Sequence, residues 1–196
     1  MIGRESPIET VEFAGLELLT APGVVMTPRR ASAALVTCAL RHVADRRAVV
    51  VDVGTGSGAI AIAIACSAPH ATVWATDLSA AAVALARRNA ARYGVDVRVR
   101  RGDLLDPVPG PIDVIVANLP YLPIAERRLH PDLDQEPPEA VYAPGDGLDP
   151  YRRLLAAARA RLAPGGVLAL QFRGELVAAS TAELAALRLF VAARAA

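Results

Sequence analysis

Four consecutive residues, Asn118-Leu119-Pro120-Tyr121, could do chemistry on a planar nitrogen. They follow directly on residues 113–117, a predicted buried strand, and ligands of open α/β sheets bind outside the carboxyl ends of the strands. The Asn118 side-chain oxygen and the Leu119 carbonyl can accept the two N–H groups of such a nitrogen, while the Tyr121 ring packs against its flat face. We predict that Asn118, Pro120 and Tyr121 are catalytic and that all four residues bind the substrate. The alternative for Asn118 is a turn former at a strand end.

A glycine-rich loop, Asp52-Val53-Gly54-Thr55-Gly56-Ser57-Gly58, lies between a predicted strand and a predicted helix. Its glycines let a ligand approach the backbone without a Cβ in the way, and the following helix N-terminus can bind a phosphate. The spacing is G-x-G-x-G and differs from the G-x-G-x-x-G of dinucleotide folds. The loop favours a nucleotide-like ligand, and the alternative is a structural turn.

Two acidic residues end the next two predicted strands. Asp77 lies about 20 residues past the glycine loop, where a carboxylate can chelate both hydroxyls of a ribose, although it could instead cap a helix. Asp103 ends the third strand, where a carboxylate can accept from an adenine amino group. The ends of three successive predicted strands therefore carry the glycine loop, Asp77 and Asp103, which together suit one nucleoside-containing ligand.

These residues are positioned by alternating strands and helices. Predicted helices cover residues 28–45, 59–68, 80–93, 150–162 and 175–187, and predicted strands cover 48–53, 71–76, 95–100, 112–117, 167–172 and 189–193. Right-handed crossovers then give a mostly parallel sheet with helices on both faces. We expect one domain over 1–196, with an N-terminal segment at 1–27 and a Rossmann-like catalytic core at 28–196. The proline-rich segment 120–150 has no clear period and is predicted to be a functional or disordered loop.

Composition limits the classes of function. Hydrophobic residues make up 54% and charged residues 21% of the chain, which is typical of a globular protein. The net charge of +1 argues against nucleic acid and against an anionic membrane surface as partners. Cys38 and Cys66 are predicted to be buried free thiols in a reducing compartment. The three histidines lack metal-ligand spacing, so no metal site is predicted. The sequence shows no predicted membrane span or signal peptide, so a cytoplasmic location is expected.

Taken together, these motifs resemble the class I S-adenosylmethionine-dependent methyltransferases. Within that class the chain is most similar to the HemK/PrmC release-factor glutamine methyltransferases. The glycine loop and Asp77 match the whole class, and further matches are Gly102-Asp103, Asn118 to Tyr121 and Glu136-Pro137. The segment Gly147-Leu148-Asp149-Pro150-Tyr151-Arg152-Arg153 narrows the choice to this group.

The resemblance implies a seven-stranded Rossmann-like sheet whose last strand is antiparallel. It implies S-adenosylmethionine as the methyl donor and a release factor as the protein substrate, methylated on a glutamine N5 nitrogen. The residues implied to bind the donor are Asp52, Gly54, Thr55, Gly56, Ser57, Gly58, Asp77, Leu78, Asp103, Leu104 and Asn118.

The chain also departs from the family pattern. Leu119 stands where proline is usual, so an N6-adenine methyltransferase acting on RNA or DNA is one alternative. An acidic residue usual near Ala31 is missing, so a catalytically silent donor-binding paralogue is another. The N-terminal helical domain of bacterial members is missing and the C-terminus looks short by about one strand. We therefore expect that a partner subunit could replace the docking surface of that domain.

Overall fold

A central sheet of six strands organises the residues that the structure, a computed structural model, describes: 8–43, 46–172 and 175–180. Its strands are β3 (Val49–Val53), β4 (Thr72–Asp77), β5 (Val97–Arg101), β6 (Ile112–Ala117), β9 (Leu162–Phe172) and β10 (Glu175–Ser180), in the order β10-β9-β6-β3-β4-β5. All neighbours are parallel except β10, which pairs antiparallel with β9. The predicted α/β class is confirmed, with six strands in the described residues where the resemblance implies seven.

Helices cover both faces of this sheet. Side chains of α1 (Ala33–Val43), α2 (Ala59–Ser67) and α3 (Ala80–Tyr93) form one apolar cluster with one face of the strands. Side chains of α5 (Asp149–Arg161) form a second cluster with the other face. β3 is an almost continuous valine run because a central parallel strand is buried on both faces. No helix in the described part of the chain is long and apolar enough to cross a membrane.

The smaller elements lie outside the central sheet. β1 (Glu9–Phe13) and β2 (Leu16–Thr20) form an antiparallel hairpin within the predicted N-terminal segment. Segment 120–150 is ordered into short pieces rather than one irregular loop. These are β7 (Leu122–Pro123), two 3-10 turns (Ile124–Leu129 and Pro131–Leu133), α4 (Pro138–Val141) and β8 (Tyr142–Ala143).

Helix boundaries follow local signals where these are strong. The helix predicted over 80–93 is α3, which is capped at both ends: the Ser79 hydroxyl accepts from the Ala82 N–H at 3.3 Å, and Gly94 ends the helix in the left-handed region. The helix predicted from Pro28 begins later, with a 3-10 turn at Arg30–Ser32 that leads into α1. Residues 163–166, which lie between a predicted helix and a predicted strand, form a bulge within β9 where its pairing with β6 shifts register.

Two predictions were wrong. Residues 175–180 form a strand rather than the start of a helix, because the edge of β9 offers unpaired backbone groups that local helix propensity does not register. The rest of that predicted helix, 181–187, and the strand predicted at 189–193 lie outside the described residues. Cys66 is exposed near the end of α2, whereas Cys38 is buried as predicted, and both are free thiols.

Trp74 on β4 is buried in the core. The guanidinium carbons of Arg98 and Arg100 on the neighbouring β5 lie 5.3 and 5.6 Å from its ring centroid. Both distances suit a cation–π contact. Two arginines of the edge strand β5 therefore cover an aromatic ring of the neighbouring strand.

Candidate active site

A cavity of about 420 Å³ opens at the carboxyl ends of the parallel strands. It brings together predicted donor-binding residues from four strand ends and residues of the 120–150 segment. Its walls include Val25, Met26, Gly54, Gly56, Asp77, Leu78, Asp103, Leu104, Asn118, Leu119, Pro120, Pro137, Ala140 and Arg153. This position agrees with the rule that ligands of α/β sheets bind where the strands end.

Asp77 is held in place from both sides by backbone N–H groups. Its Oδ2 accepts from Gly56 N and its Oδ1 accepts from Ser79 N, each at 2.9 Å. Burial raises the pKa of Asp77 above its ordinary value, although these hydrogen bonds act in the opposite direction. Each carboxylate oxygen keeps a further lone pair, so the side chain can still accept from two hydroxyls.

Asp103 lies at a different part of the same cavity and pairs with Arg153 of α5. The guanidinium of Arg153 donates to Asp103 Oδ2. Asp103 Oδ1 is buried and has no hydrogen-bond partner among the described residues. A buried acceptor of this kind is costly unless something fills it, so Asp103 suits a ligand that brings an N–H group.

The remaining predicted donor residues of the glycine loop form the structure behind the cavity wall. Asp52 is completely buried, and its Oδ2 accepts from Thr55 Oγ1 at 2.6 Å and from Ala61 N at 3.2 Å. Burial raises its pKa to about 7. Ser57 offers its carbonyl to Asn89 at 2.9 Å, and Gly58 caps α2. These four predicted residues thus shape the loop, while Gly54 and Gly56 line the cavity.

Gly54 lies where the glycine loop contacts the tetrapeptide Asn118-Leu119-Pro120-Tyr121. A Cβ built on Gly54 would lie 2.7 Å from Leu119 Cδ2, and its φ of +70° is one that glycine adopts without strain. A side chain at position 54 would therefore displace the Leu119 side chain and strain the loop backbone. The predicted donor and acceptor residues lie close together at this position.

A second cavity of about 50 Å³ adjoins the first. The two cavities share a wall made by Met26, Asn118, Leu119, Pro120 and Ala140. Tyr121 and Gln171 line the small cavity but not the large one. All four residues of the tetrapeptide therefore lie at the boundary or on the small-cavity side of it.

The side chain of Asn118 is oriented by a residue that sequence reasoning missed. Its Nδ2 donates to Ser32 Oγ at 3.3 Å, and Ser32 is buried at the start of the first helical segment. With its nitrogen engaged there, Asn118 presents its oxygen as a hydrogen-bond acceptor. A serine in the 3-10 turn that precedes α1 carries no sequence signal for such a contact 86 positions away.

Beneath the tetrapeptide lies Tyr151 of α5, which is fully buried. Its hydroxyl accepts from Leu119 N at 3.1 Å and lies 2.9 Å from Leu119 O and 2.6 Å from Gln171 O. Phe172 packs between two tyrosine rings, with centroids 5.3 Å from Tyr121 and 5.8 Å from Tyr151. Segment 147–153, which narrowed the resemblance to the release-factor glutamine methyltransferases, thus contacts the tetrapeptide directly.

Gly147, from the same segment, approaches Tyr121 so closely that a Cβ there would collide with the Tyr121 carbonyl. Its φ of +82° also favours glycine. Together with Tyr151 and Arg153, this glycine makes segment 147–153 a support for both cavities.

Residues 15–130, more than half of the chain, match the family model of the methyltransferase small domain. The chain belongs to this family. It is 42% identical over 165 residues to a release factor glutamine methyltransferase of Deinococcus radiodurans, an alignment that covers 82% of the chain and 58% of that protein. It is 47% identical over 177 residues to a protein of the same name from Xylella fastidiosa, with 87% and 61% covered. This methyltransferase domain thus spans about three fifths of the length of these relatives.

Among solved structures, the domain is similar to a T. thermophilus 16S rRNA N2 G1207 methyltransferase in complex with AdoMet and guanosine. The TM-score is 0.61 at 21% identity, and the match covers 84% of this chain and 41% of that one. At this identity the likeness concerns the fold. It supports the Rossmann-like class predicted from the alternation of strands and helices.

Glu136 joins two walls of the large cavity. Its Oε2 accepts from Thr27 N at 3.0 Å, and its Oε1 lies 3.9 Å from a guanidinium nitrogen of Arg29. Residues 24–26 on one side of this contact and Pro137 on the other line the large cavity. Glu136 is part of the resemblance, but its role as a latch between the N-terminal segment and the 120–150 segment was not predicted.

Proposed function

We propose that this domain is an S-adenosylmethionine-dependent N-methyltransferase that methylates the N5 nitrogen of a glutamine in a peptide-chain release factor. The observation that carries the proposal is the shared wall of the two cavities. There Asn118 and Leu119 line both a large cavity and a small one. The names of the relatives support a glutamine side chain as the acceptor.

The large cavity fits the methyl donor. Asp77 would accept from the ribose hydroxyls, and the unpartnered Asp103 Oδ1 would accept from the adenine amino group. Gly54 and Gly56 leave room beside the backbone, while Leu78 and Leu104 offer apolar contacts. When bound, S-adenosylmethionine supplies an electrophilic methyl group on a positively charged sulfonium.

The small cavity fits the acceptor amide. A volume of about 50 Å³ holds only a few water-sized groups. That space suits the three heavy atoms of a carboxamide, the acceptor that the proposal requires. The near-zero net charge also disfavours the alternative of an RNA or DNA substrate, because phosphate contacts dominate affinity for nucleic acids.

Positioning rather than strong base catalysis explains the chemistry. An amide nitrogen is a poor nucleophile because its lone pair is delocalised into the carbonyl. No Asp, Glu, His or Lys is among the described residues that line the small cavity. The Asn118 oxygen and the Leu119 carbonyl would accept the two amide N–H groups and point the nitrogen at the donor cavity, and such orientation can lower a barrier by several kcal/mol.

The proposal is tested by incubating the protein with labelled methyl donor and, in parallel, a release factor and ribosomal RNA. We expect label on one glutamine of the release factor, located by mass spectrometry of its peptides. Asn118→Ala serves as the matched inactive variant. Label on RNA alone would contradict the glutamine assignment in favour of the adenine alternative. Donor binding by calorimetry without turnover on either substrate would favour the silent paralogue.

A further inference from the structure

We propose that Tyr151 is a positioning residue for the acceptor: its hydroxyl holds the Leu119 backbone so that the Leu119 carbonyl can accept a substrate N–H, an inference that rests on the proposed function. The starting observation is where the β6–β9 ladder stops. The last pair in register is Ala117 with Leu170. Beyond that pair the chain turns away from the sheet, and the next backbone groups need another partner.

The Tyr151 hydroxyl bridges the two strands at this point. It accepts from Leu119 N at 3.1 Å, on the segment after β6, and lies 2.6 Å from the Gln171 carbonyl of β9. A side chain thus replaces the ladder hydrogen bonds that the departing tetrapeptide has lost. The ring is fixed as well, because Tyr151 is fully buried and contacts Phe172 edge to face.

The Tyr151 hydroxyl has one proton and two possible acceptors. It can therefore hydrogen-bond the Leu119 carbonyl and later release that carbonyl to a substrate N–H. A phenol has one proton to donate, yet two carbonyls lie within reach, Leu119 O at 2.9 Å and Gln171 O at 2.6 Å. Without an acceptor amide, the proton can satisfy Leu119. When a substrate N–H takes the Leu119 carbonyl, the hydroxyl can rotate to Gln171 without moving either backbone segment.

The phenol is suited to this role because it stays protonated. Burial raises the pKa of Tyr151 above its ordinary value. The hydroxyl therefore keeps its proton at neutral pH and can act as both donor and acceptor. A charged side chain at this depth would carry a desolvation cost that the phenol avoids.

Tyr142 offers a matched control a few residues away. It is also buried in the described structure, but its hydroxyl has no hydrogen-bond partner among the described residues, and Tyr142 lines neither cavity. Tyr151→Phe and Tyr142→Phe each remove one buried hydroxyl and keep the ring. Only the first removes contacts with Leu119 and Gln171.

The experiment compares both variants with the wild type in release-factor methylation kinetics, donor calorimetry and amide hydrogen exchange at Leu119. We expect Tyr151→Phe to lower kcat by about 10- to 100-fold, because displacements near 1 Å can have effects of that size. Donor affinity should stay within about twofold, and the Leu119 amide should exchange faster than in the wild type. Tyr142→Phe should match the wild type in all three measurements.

Each other outcome contradicts this role. Unchanged kcat in Tyr151→Phe, a parallel loss of donor affinity, or an equal loss in Tyr142→Phe would show that the hydroxyl does not position the acceptor site. If the wild type fails to methylate a release factor, the proposed function fails separately. Leu119 exchange and donor affinity then decide the role of Tyr151, and an unchanged exchange rate overturns it.

Discussion

The side-chain nitrogen of Asn118 donates to the hydroxyl of Ser32 at 3.3 Å. This contact fixes which end of the Asn118 amide is available to a ligand, because the nitrogen is used and the oxygen is presented. Ser32 lies just before α1, so the N-terminal part of the fold sets the orientation of a residue at the end of β6.

Replacing Ser32 with alanine tests this dependence. We expect Ser32→Ala to lower kcat by about 3- to 10-fold, which corresponds to one neutral hydrogen bond, with donor affinity unchanged. Steady-state kinetics and calorimetry measure the two effects. Thr37→Ala is the control, since that hydroxyl is exposed and donates only to Ala33 O within α1. An equal loss in both variants would rule out an orienting role for Ser32.

Asp77 and Asn118 should separate donor binding from turnover. Asp77→Ala is expected to weaken donor binding by about 10- to 100-fold, because hydrogen bonds to charged groups contribute about 1.5–3 kcal/mol. Asn118→Ala should mainly lower kcat, because its oxygen orients the acceptor. Calorimetry with the donor and steady-state kinetics report the two quantities. The division of roles would be wrong if both variants changed donor affinity alone.

Asp52 should make stability depend on pH. Burial raises its pKa from 3.8 to about 7, so between about pH 4 and 7 the folded chain binds a proton that the unfolded chain does not. The contribution of Asp52 to the free energy of unfolding is therefore greatest at low pH and is lost as the pH rises to about 7. Urea denaturation from pH 4 to 8 should show this slope in the wild type and a flatter one in Asp52→Asn. Parallel curves would contradict the assignment.

Glu136 should control how well the donor cavity is closed. Glu136→Ala removes the hydrogen bond to Thr27 N, next to Met26 in the shared wall of the two cavities. We expect donor affinity to fall by about 3- to 10-fold, as for one lost hydrogen bond. Glu126→Ala is the control, because Glu126 lies in the same segment and its one described ion pair is with His130. Calorimetry that gives equal affinities for the two variants would exclude the latch.

Local patterns were sufficient for the parallel core. The continuous apolar runs of β3 and α2 and the caps of α3 are signals that the sequence displays directly. The same holds for the cavity, since a glycine loop, Asp77 and Asp103 follow successive strands and parallel strands end on one side of a sheet. The positions of these residues depend on the topology of the sheet, which the alternation of strands and helices alone predicts.

Contacts between distant segments could not be predicted in this way. Ser32, Asn89 and Tyr151 are ordinary residues of helical patterns, and their roles arise from neighbours in space. Asn89, for example, is fully buried and bonds the backbone of Leu19 and Ser57, which ties the hairpin to the glycine loop. The strand at 175–180 likewise depends on a neighbour in space, because pairing with the edge of β9 stabilises it and its own residues do not.

The burial of Trp74 has a practical consequence. It is the chain's one tryptophan, and its indole is shielded from water with two arginine guanidinium groups over the ring. Indole emission moves to longer wavelength when the ring becomes hydrated, so intrinsic fluorescence reports the opening of the sheet from a single site. Trp74 lies on the same strand as Asp77, and each substitution described above can therefore be checked for folding without an added label.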